Sequence, residues 1–139
     1  MNPGRVVLMR QPSERITVAL VEDDPRIRQL IIDEITDEGH DCRGYGSAEA
    51  FLDDASDLAP NLVLLDLMLP GMDGLDCLRA LNQTPGPVPC HVVIVTAVKD
   101  SSKREQALAL GAHDYILKPD LFERLPQLLA SLIQASAEA

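Results

Sequence analysis

Several residue types are scarce in this chain of 139 residues, and each shortage excludes a class of protein. Tryptophan is absent and aromatic residues make up only 3% of the chain, so aliphatic side chains have to build the core. No apolar run approaches the roughly 20 residues that span a bilayer. The short apolar run at residues 6–9 is also too brief for the core of a signal peptide. We therefore expect a cytoplasmic protein with no membrane partner.

Cysteines, histidines and basic residues are few as well. The three cysteines are odd in number, widely spaced and without a C-x-x-C pair, which predicts reduced thiols. The three histidines show no metal-ligand spacing. Twelve basic residues against 22 acidic ones give a formal charge of −10, which argues against direct binding of nucleic acid and favours cations or basic surfaces.

Apolar residues, at 46% of the chain, suffice for one folded domain, and five apolar runs of strand length alternate with five helical patterns. The predicted strands are Ile16 to Val21, Asp41 to Tyr45, Leu62 to Asp66, His91 to Thr96 and Ala112 to Leu117. This (βα)₅ alternation predicts a doubly wound, three-layer α/β fold with a five-stranded parallel sheet. We expect residues 1–15 to be a loosely ordered leader, residues 16–136 to form the domain, and no output domain to follow.

Capping residues mark the predicted helix starts. Asp24 before Pro25 is expected to cap the first helix, Ser47 the second, and a capping box of Ser102 and Glu105 the fourth. The third helix is expected to end in the loop at residues 84–87, and the last helix to start at about residue 121.

A polar group stands at the carboxyl end of four of the five predicted strands. These groups are Glu22, Asp23, Asp66, Thr96 and Lys118. Each alone has a plain structural explanation, such as a turn, a cap or an ordinary strand residue. Together they converge at one edge if the sheet is parallel, where open α/β sheets bind ligands. Three carboxylates without histidine or thiol favour Mg²⁺ or Mn²⁺, and a lysine and a hydroxyl beside them suit an anion, so Asp66 is a candidate phosphoryl acceptor.

Four segments, VEDDP (21–25), LLDLMLPGMDG (64–74), VTA (95–97) and YILKP (115–119), resemble the receiver domain of two-component response regulators. The resemblance covers residues 16 to about 135. It implies a flavodoxin-like fold with strand order 2-1-3-4-5.

The resemblance assigns a role to each residue of the acidic site. Asp66 would accept a phosphoryl group from the phosphohistidine of a histidine kinase or phosphotransfer protein. Asp23 and Asp66 would bind Mg²⁺ directly, Glu22 would bind it through water, and the backbone carbonyl of Met68 would complete the protein ligands.

Three further residues receive roles in the same way. Lys118 would pair with the phosphoryl group, and Thr96 would move to hydrogen-bond it. Tyr115 would then change rotamer and alter the surface of the fourth helix, fifth strand and fifth helix.

The protein would thus be a signalling switch with intrinsic self-phosphorylation and autodephosphorylation, not an enzyme of metabolites. Its target would be a downstream protein or a separate output domain, and a homodimer formed on phosphorylation is one arrangement that the resemblance allows. Two alternatives are open. An aspartyl-phosphate phosphatase needs a second acid where this chain has Met68, and a flavin-binding domain needs a phosphate-cradling loop where it has Glu22, Asp23 and Asp24.

Two positions depart from the pattern of the family. Asp120 stands where an aromatic or apolar residue is usual, and Pro126 is expected about one turn into the last helix. Met68 and Val98, which flank the acceptor, are both apolar and are expected to hinder the approach of water.

Overall fold

A computed structural model describes residues 15–83 and 90–138, with side chains described up to residue 133. The predicted leader and the loop expected at residues 84–87 lie outside the described residues, apart from Arg15. Among the described residues, no helix combines the length and the apolar character needed to cross a bilayer.

The five predicted strands form one parallel sheet in the order β2-β1-β3-β4-β5, which confirms the predicted fold class. The strands are β1 (Thr17–Val21), β2 (Asp41–Tyr45), β3 (Leu62–Asp66), β4 (His91–Thr96) and β5 (Asp114–Leu117). Strands β2, β3 and β4 have the predicted bounds.

The other two strands start later than predicted: β1 by one residue and β5 by two. At β5, His113 Nδ1 accepts the backbone N–H of Val92 at 3.2 Å. At β1, His40 Nδ1 accepts the N–H of Ile16 at 3.1 Å. In both places an imidazole nitrogen accepts a backbone N–H in place of a strand carbonyl, so the regular backbone pairing of the strand begins later.

Five helices cover the two faces of the sheet, and their bounds are α1 (Pro25–Asp37), α2 (Ala48–Leu58), α3 (Gly74–Gln83), α4 (Ser101–Ala109) and α5 (Lys118–Glu138). One apolar cluster joins the sheet to α1 and α5, and a second joins it to α2, α3 and α4. The aliphatic core predicted from the composition is thus split into two layers, with β3 buried along its whole length between them.

The caps of α1 and α2 are confirmed, whereas the capping box predicted for α4 is wrong. Asp24 accepts two backbone N–H groups at the start of α1, and Ser47 accepts one at the start of α2. At α4, Asp100 is the N-cap and accepts the N–H of Lys103 at 3.1 Å. Ser102 lies inside the helix as a consequence. Asp and Ser are about equally good helix N-caps, so residue type alone does not decide between Asp100 and Ser102.

The last helix begins at Lys118 instead of near residue 121. Pro119 therefore lies in the first turn, where its missing N–H removes no intrahelical bond. Asp120 also falls in that turn, where a carboxylate is favourable, and it is exposed. Pro126 consequently lies about two turns inside α5, deeper than expected.

Candidate functional site

The carboxyl edge of the sheet gathers the polar residues predicted for the site. Strand β3 ends in Asp66, whose residue is 4% exposed, and β1 is followed by Glu22, which is 2% exposed. Thr96 closes β4 and is fully buried. Leu117, the last residue of β5, pairs with Thr96, so Lys118 follows at this same edge. Two buried acids and a buried hydroxyl at one edge of an apolar sheet need polar partners close by.

Lys118 is the partner of both buried acids. Its Nζ lies 2.7 Å from Glu22 Oε1 and 2.9 Å from Asp66 Oδ2. One ammonium thus bridges two carboxylates that come from different strands. The sequence predicted that Glu22, Asp66 and Lys118 reach the same edge of the sheet, but it did not predict the direct pair between Lys118 and Glu22.

The second oxygen of each buried carboxylate accepts a backbone N–H. Asp66 Oδ1 accepts from Met68 at 3.1 Å, and Glu22 Oε2 accepts from Asp24 at 3.0 Å. In both cases the donor lies two residues further along the chain, where the loop turns away from the strand. Each acid is therefore held at both oxygens.

The three acids form one cluster. One carboxylate oxygen from each of Glu22, Asp23 and Asp66 lies within 4.8 Å of the other two, and Asp23 is the exposed member. Three carboxylates beside one ammonium leave a net charge of about −2 if all are ionised. Hard oxygen ligands with this residual charge fit Mg²⁺ or Mn²⁺, which accept carboxylates, carbonyls and water.

Burial and ion pairing shift the pKa values of Glu22 and Lys118. Burial raises the pKa of Glu22, and the charge of Asp66 adds to the rise, while the hydrogen bonds from Lys118 and Asp24 oppose it. Burial works against the Lys118 ammonium, but its hydrogen bonds to Glu22 and Asp66 outweigh that effect and raise the pKa of Lys118. Lys118 therefore stays charged, and its positive charge limits the rise in the pKa of Glu22.

Thr96 and Tyr115 both contact the backbone of Val98, in the loop after β4. Thr96 Oγ1 accepts the N–H of Val98 at 3.2 Å, and the Tyr115 hydroxyl donates to the carbonyl of Val98 at 2.7 Å. Val95, the neighbour of Thr96, pairs with Asp66 in the sheet. One short loop thus links a buried hydroxyl at the acidic site to a half-buried tyrosine on β5.

Two apolar side chains flank the cluster. Met68 is 56% exposed and Val98 is 37% exposed. The backbone of Met68 is fixed by its N–H on Asp66, so its side chain extends outward from the loop after β3.

Gly74, the first residue of α3, fixes this loop. A Cβ on Gly74 would lie 2.4 Å from the carbonyl oxygen of Asp66, so only glycine lets α3 begin against the end of β3. The Gly74 N–H also donates to the carbonyl of Leu67 at 3.0 Å. The available signal was the Asp-Gly pair at the start of a helical pattern, which alone is too common to indicate a close approach.

Comparisons with known proteins give one consistent family. The family model described as the response regulator receiver domain matches residues 18–130. The "DNA-binding response regulator MtrA" of Mycolicibacterium smegmatis is 39% identical over 105 residues, which is 76% of this chain and 45% of that protein. The chain spans about half the length of the curated relatives it matches.

Solved structures agree with the family model. A signal receiver domain of a LuxO repressor protein from Vibrio parahaemolyticus matches with a TM-score of 0.80 and 29% identity, covering 89% of this chain and 94% of that one. The BeF₃-activated receiver domain of RstA from Klebsiella pneumoniae matches with a TM-score of 0.68 and 33% identity, covering 81% and 97%.

Proposed function

Because the chain belongs to the response regulator receiver domain family, as its four motif segments predicted, we propose that it is a phosphorylatable switch. In this proposal Asp66 accepts a phosphoryl group from a phosphohistidine on a histidine kinase or phosphotransfer protein. The observation that carries the proposal is the Lys118 ammonium, placed between Asp66 and Glu22 beside a third carboxylate. A cation beside the nucleophile is what in-line transfer to a carboxylate requires.

The transfer is a substitution at phosphorus. A carboxylate oxygen of Asp66 forms the new P–O bond while the P–N bond to the imidazole of the donor breaks; the electron pair of that bond stays on the ring nitrogen, and the imidazole, protonated by solvent at its other ring nitrogen, leaves as the neutral base. Lys118 neutralises the charge on the phosphoryl oxygens, for which it has to leave part of its present pairing. Its two short contacts position the ammonium for that role.

The acidic cluster would hold the divalent cation. Asp23 and Asp66 would be direct ligands, the backbone carbonyl of Met68 a third, and Glu22 a ligand through water. Such a cation supplies positive charge to the phosphoryl oxygens and lowers the barrier for attack by an anionic carboxylate. The exposed position of Asp23, beside two buried acids, leaves solvent access for the waters that Mg²⁺ retains.

The response to phosphorylation would pass through Thr96 and Tyr115. Thr96 Oγ1 accepts the N–H of Val98, and its own hydroxyl hydrogen would donate to a phosphoryl oxygen on Asp66, so a movement of Thr96 toward that oxygen would pull the loop at Val98 with it. The Tyr115 hydroxyl is bonded to the carbonyl of the same residue, so movement of this loop releases the tyrosine. We propose that the surface of α4, β5 and α5 changes as a result and binds a downstream protein, an output domain or a second copy of the chain.

The net charge of −10 supports a protein partner for this domain instead of direct contact with nucleic acid. DNA binding is stated for the MtrA relative as a whole protein, of which the matched segment is 45%.

The test is incubation with phosphoramidate and Mg²⁺, followed by intact-protein mass spectrometry. We expect one phosphoryl adduct that hydroxylamine removes, as it does acyl phosphates, and that Asp66→Ala abolishes. An adduct that persists in Asp66→Ala, or no adduct on the native chain, contradicts the proposal. Rapid turnover of nitrophenyl phosphate would instead favour the phosphatase alternative.

A further inference from the structure

Arg28 lies on α1, and its side chain contacts the segment after β1 that carries Glu22 and Asp23. Neither the sequence motifs nor the mechanism above uses it. We propose that Arg28 is a positioning residue, which holds the segment Glu22-Asp23 so that the Asp23 carboxylate faces the cation site. This inference rests on the proposed function only for the identity of the ligand, a divalent cation.

The first support is the set of bonds that fix Glu22. Arg28 Nη1 donates to the backbone carbonyl of Glu22 at 2.8 Å, and the Glu22 N–H donates to the carbonyl of Tyr45 at 3.0 Å. Its two carboxylate oxygens are held by Lys118 and by the N–H of Asp24. The bond from Arg28 is the one that fixes the peptide group joining Glu22 to the next residue.

That peptide group decides where Asp23 points. The Asp23 side chain is exposed, so packing does little to orient it, and its direction follows from the backbone before and after it. After it, Asp24 is anchored as the N-cap of α1. Before it, the anchor is the Glu22 carbonyl on Arg28. A charged donor on a carbonyl is among the stronger hydrogen bonds in proteins, and this one is half-buried.

The second support is the path that the arginine takes, which depends on a glycine in β2. A Cβ on Gly44 would lie 2.9 Å from both Cγ and Cδ of Arg28 and equally close to Cδ1 of Ile32. A Cβ on Gly46 would lie 3.5 Å from Arg28 Nη1, which is an ordinary contact. The edge strand thus carries glycine at the point where the arginine stem crosses it. Glycine weakens a strand, so its presence here needs a packing reason, and the arginine supplies one.

Charge alone would give Arg28 the opposite effect. A guanidinium near a cation site repels the cation, so removing it should tighten binding if it acts only through its charge. If it acts by holding the ligands in place, removing it should weaken binding. The sign of the change therefore separates the two roles.

The experiment measures Mn²⁺ affinity by electron paramagnetic resonance on the native chain and on Arg28→Met, which keeps the stem and removes the guanidinium. The matched control is Arg26→Met, the same change on the same helix at a side chain that is 90% exposed and makes one long contact, 3.7 Å from its Nε to Asp24 Oδ1. Exposed pairs of this kind contribute little, so this loss should not disturb Asp24. We expect Arg28→Met to weaken binding by about tenfold, the lower end of the loss seen when a partner of a metal ligand is removed. Arg26→Met should bind as tightly as the native chain, or slightly more tightly.

A second pair of variants tests the path without altering charge. Gly44→Ala should displace the Arg28 stem and weaken Mn²⁺ binding in the same direction, while Gly46→Ala should leave it unchanged. Amide hydrogen exchange in chelator-treated protein adds a measurement without any metal. The N–H groups of Glu22 and Asp23 should exchange faster in Arg28→Met than in Arg26→Met.

Two results overturn the inference alone: Mn²⁺ affinity in Arg28→Met equal to or above that of Arg26→Met, or unchanged affinity in Gly44→Ala. A native chain that binds no Mn²⁺ overturns both this inference and the proposed cation site. A native chain that binds Mn²⁺ but accepts no phosphoryl group contradicts the proposed function and leaves the comparison of Arg28→Met with Arg26→Met decisive. If Arg28→Met does not fold, Gly44→Ala and its control decide the question.

Discussion

Replacing Lys118 by methionine removes the one ammonium that pairs with both buried acids and keeps an unbranched stem of similar length. In the metal-free protein this leaves Glu22 and Asp66 side by side without a cation. Their other oxygens remain on backbone N–H groups, which satisfies two hydrogen bonds but not the charge. Lys118→Met should therefore lower the free energy of unfolding.

The magnitude follows from burial. Breaking a buried ion pair by removing one partner costs about 3–5 kcal/mol, because the remaining charge stays buried. Lys118 is 23% exposed at its side chain, so water replaces part of the lost interaction. We expect Lys118→Met to lose about 2–4 kcal/mol at pH 7, which corresponds to a urea midpoint lower by roughly 1–2 M.

The dependence on pH has a definite sign. Burial raises the pKa of Glu22 above its ordinary value of 4.5, so between 4.5 and the raised value the folded state binds more protons than the unfolded state. Stability therefore falls as the pH rises through that window. Removing Lys118 removes two of the interactions that lower this pKa, so the window widens upward. The deficit of Lys118→Met should be largest at pH 7–8 and should shrink toward pH 5.

Urea unfolding followed by circular dichroism at pH 5 and pH 8, with EDTA, measures both effects. The matched control is Lys99→Met, the same change at an exposed lysine. Addition of Mg²⁺ should recover more stability in Lys118→Met than in Lys99→Met, because a cation can replace the missing charge. Equal midpoints for the two variants, or a deficit that does not change between pH 5 and pH 8, would refute the reasoning.

Three further predictions follow from individual residues. Met68→Asn should speed the loss of the phosphoryl group from Asp66 by roughly fivefold, because a polar side chain lets water approach. This factor corresponds to about 1 kcal/mol in the activation barrier. An unchanged decay rate in a mass-spectrometric time course would refute this. Pro126→Ala should stabilise the fold by about 1–3 kcal/mol in urea unfolding, since it restores an N–H inside α5; a lower midpoint would show that the helix needs its proline. Burial raises the pKa of Cys42 and Cys77 to about 12, so at pH 8 both thiols should react about a thousandfold more slowly with an alkylating reagent than in 8 M urea, which is roughly the ratio of the thiolate fractions. Peptide mapping that finds prompt labelling of Cys42 or Cys77 in the folded chain would contradict this.

The sheet was predictable because most of its strands are short apolar runs, and β3 and β4 end at a clear change of residue type. Strand β2 is the exception, since Asp41–Tyr45 has only weak patterning, and its prediction relied on the alternation of strands and helices. The convergence of Asp66 and Lys118 followed from topology alone, since parallel strands present their carboxyl ends at one edge. Even so, their close contact depends on where α5 begins. The sequence predicts the last helix only from about residue 121, although the proline at position 119 is well suited to the first turn of a helix.

The remaining errors arise where two local signals compete or where a contact is distant in sequence. Asp100 and Ser102 are both good caps, and no periodicity distinguishes them. The contact of Arg28 with Gly44 joins residues 16 positions apart, and its local pattern is only that of an amphipathic helix beside a weak strand. Such contacts depend on how α1 crosses β2, which composition and spacing do not determine.

The most direct test of the account is chemical identification of the residue that carries the phosphoryl group. The protein is treated with phosphoramidate and Mg²⁺, reduced with borohydride to convert an aspartyl phosphate to homoserine, and digested for peptide mass spectrometry. We expect homoserine at position 66 alone, and no homoserine when EDTA replaces Mg²⁺. Homoserine at another aspartate, or labelling of Asp66 that EDTA does not change, would contradict it.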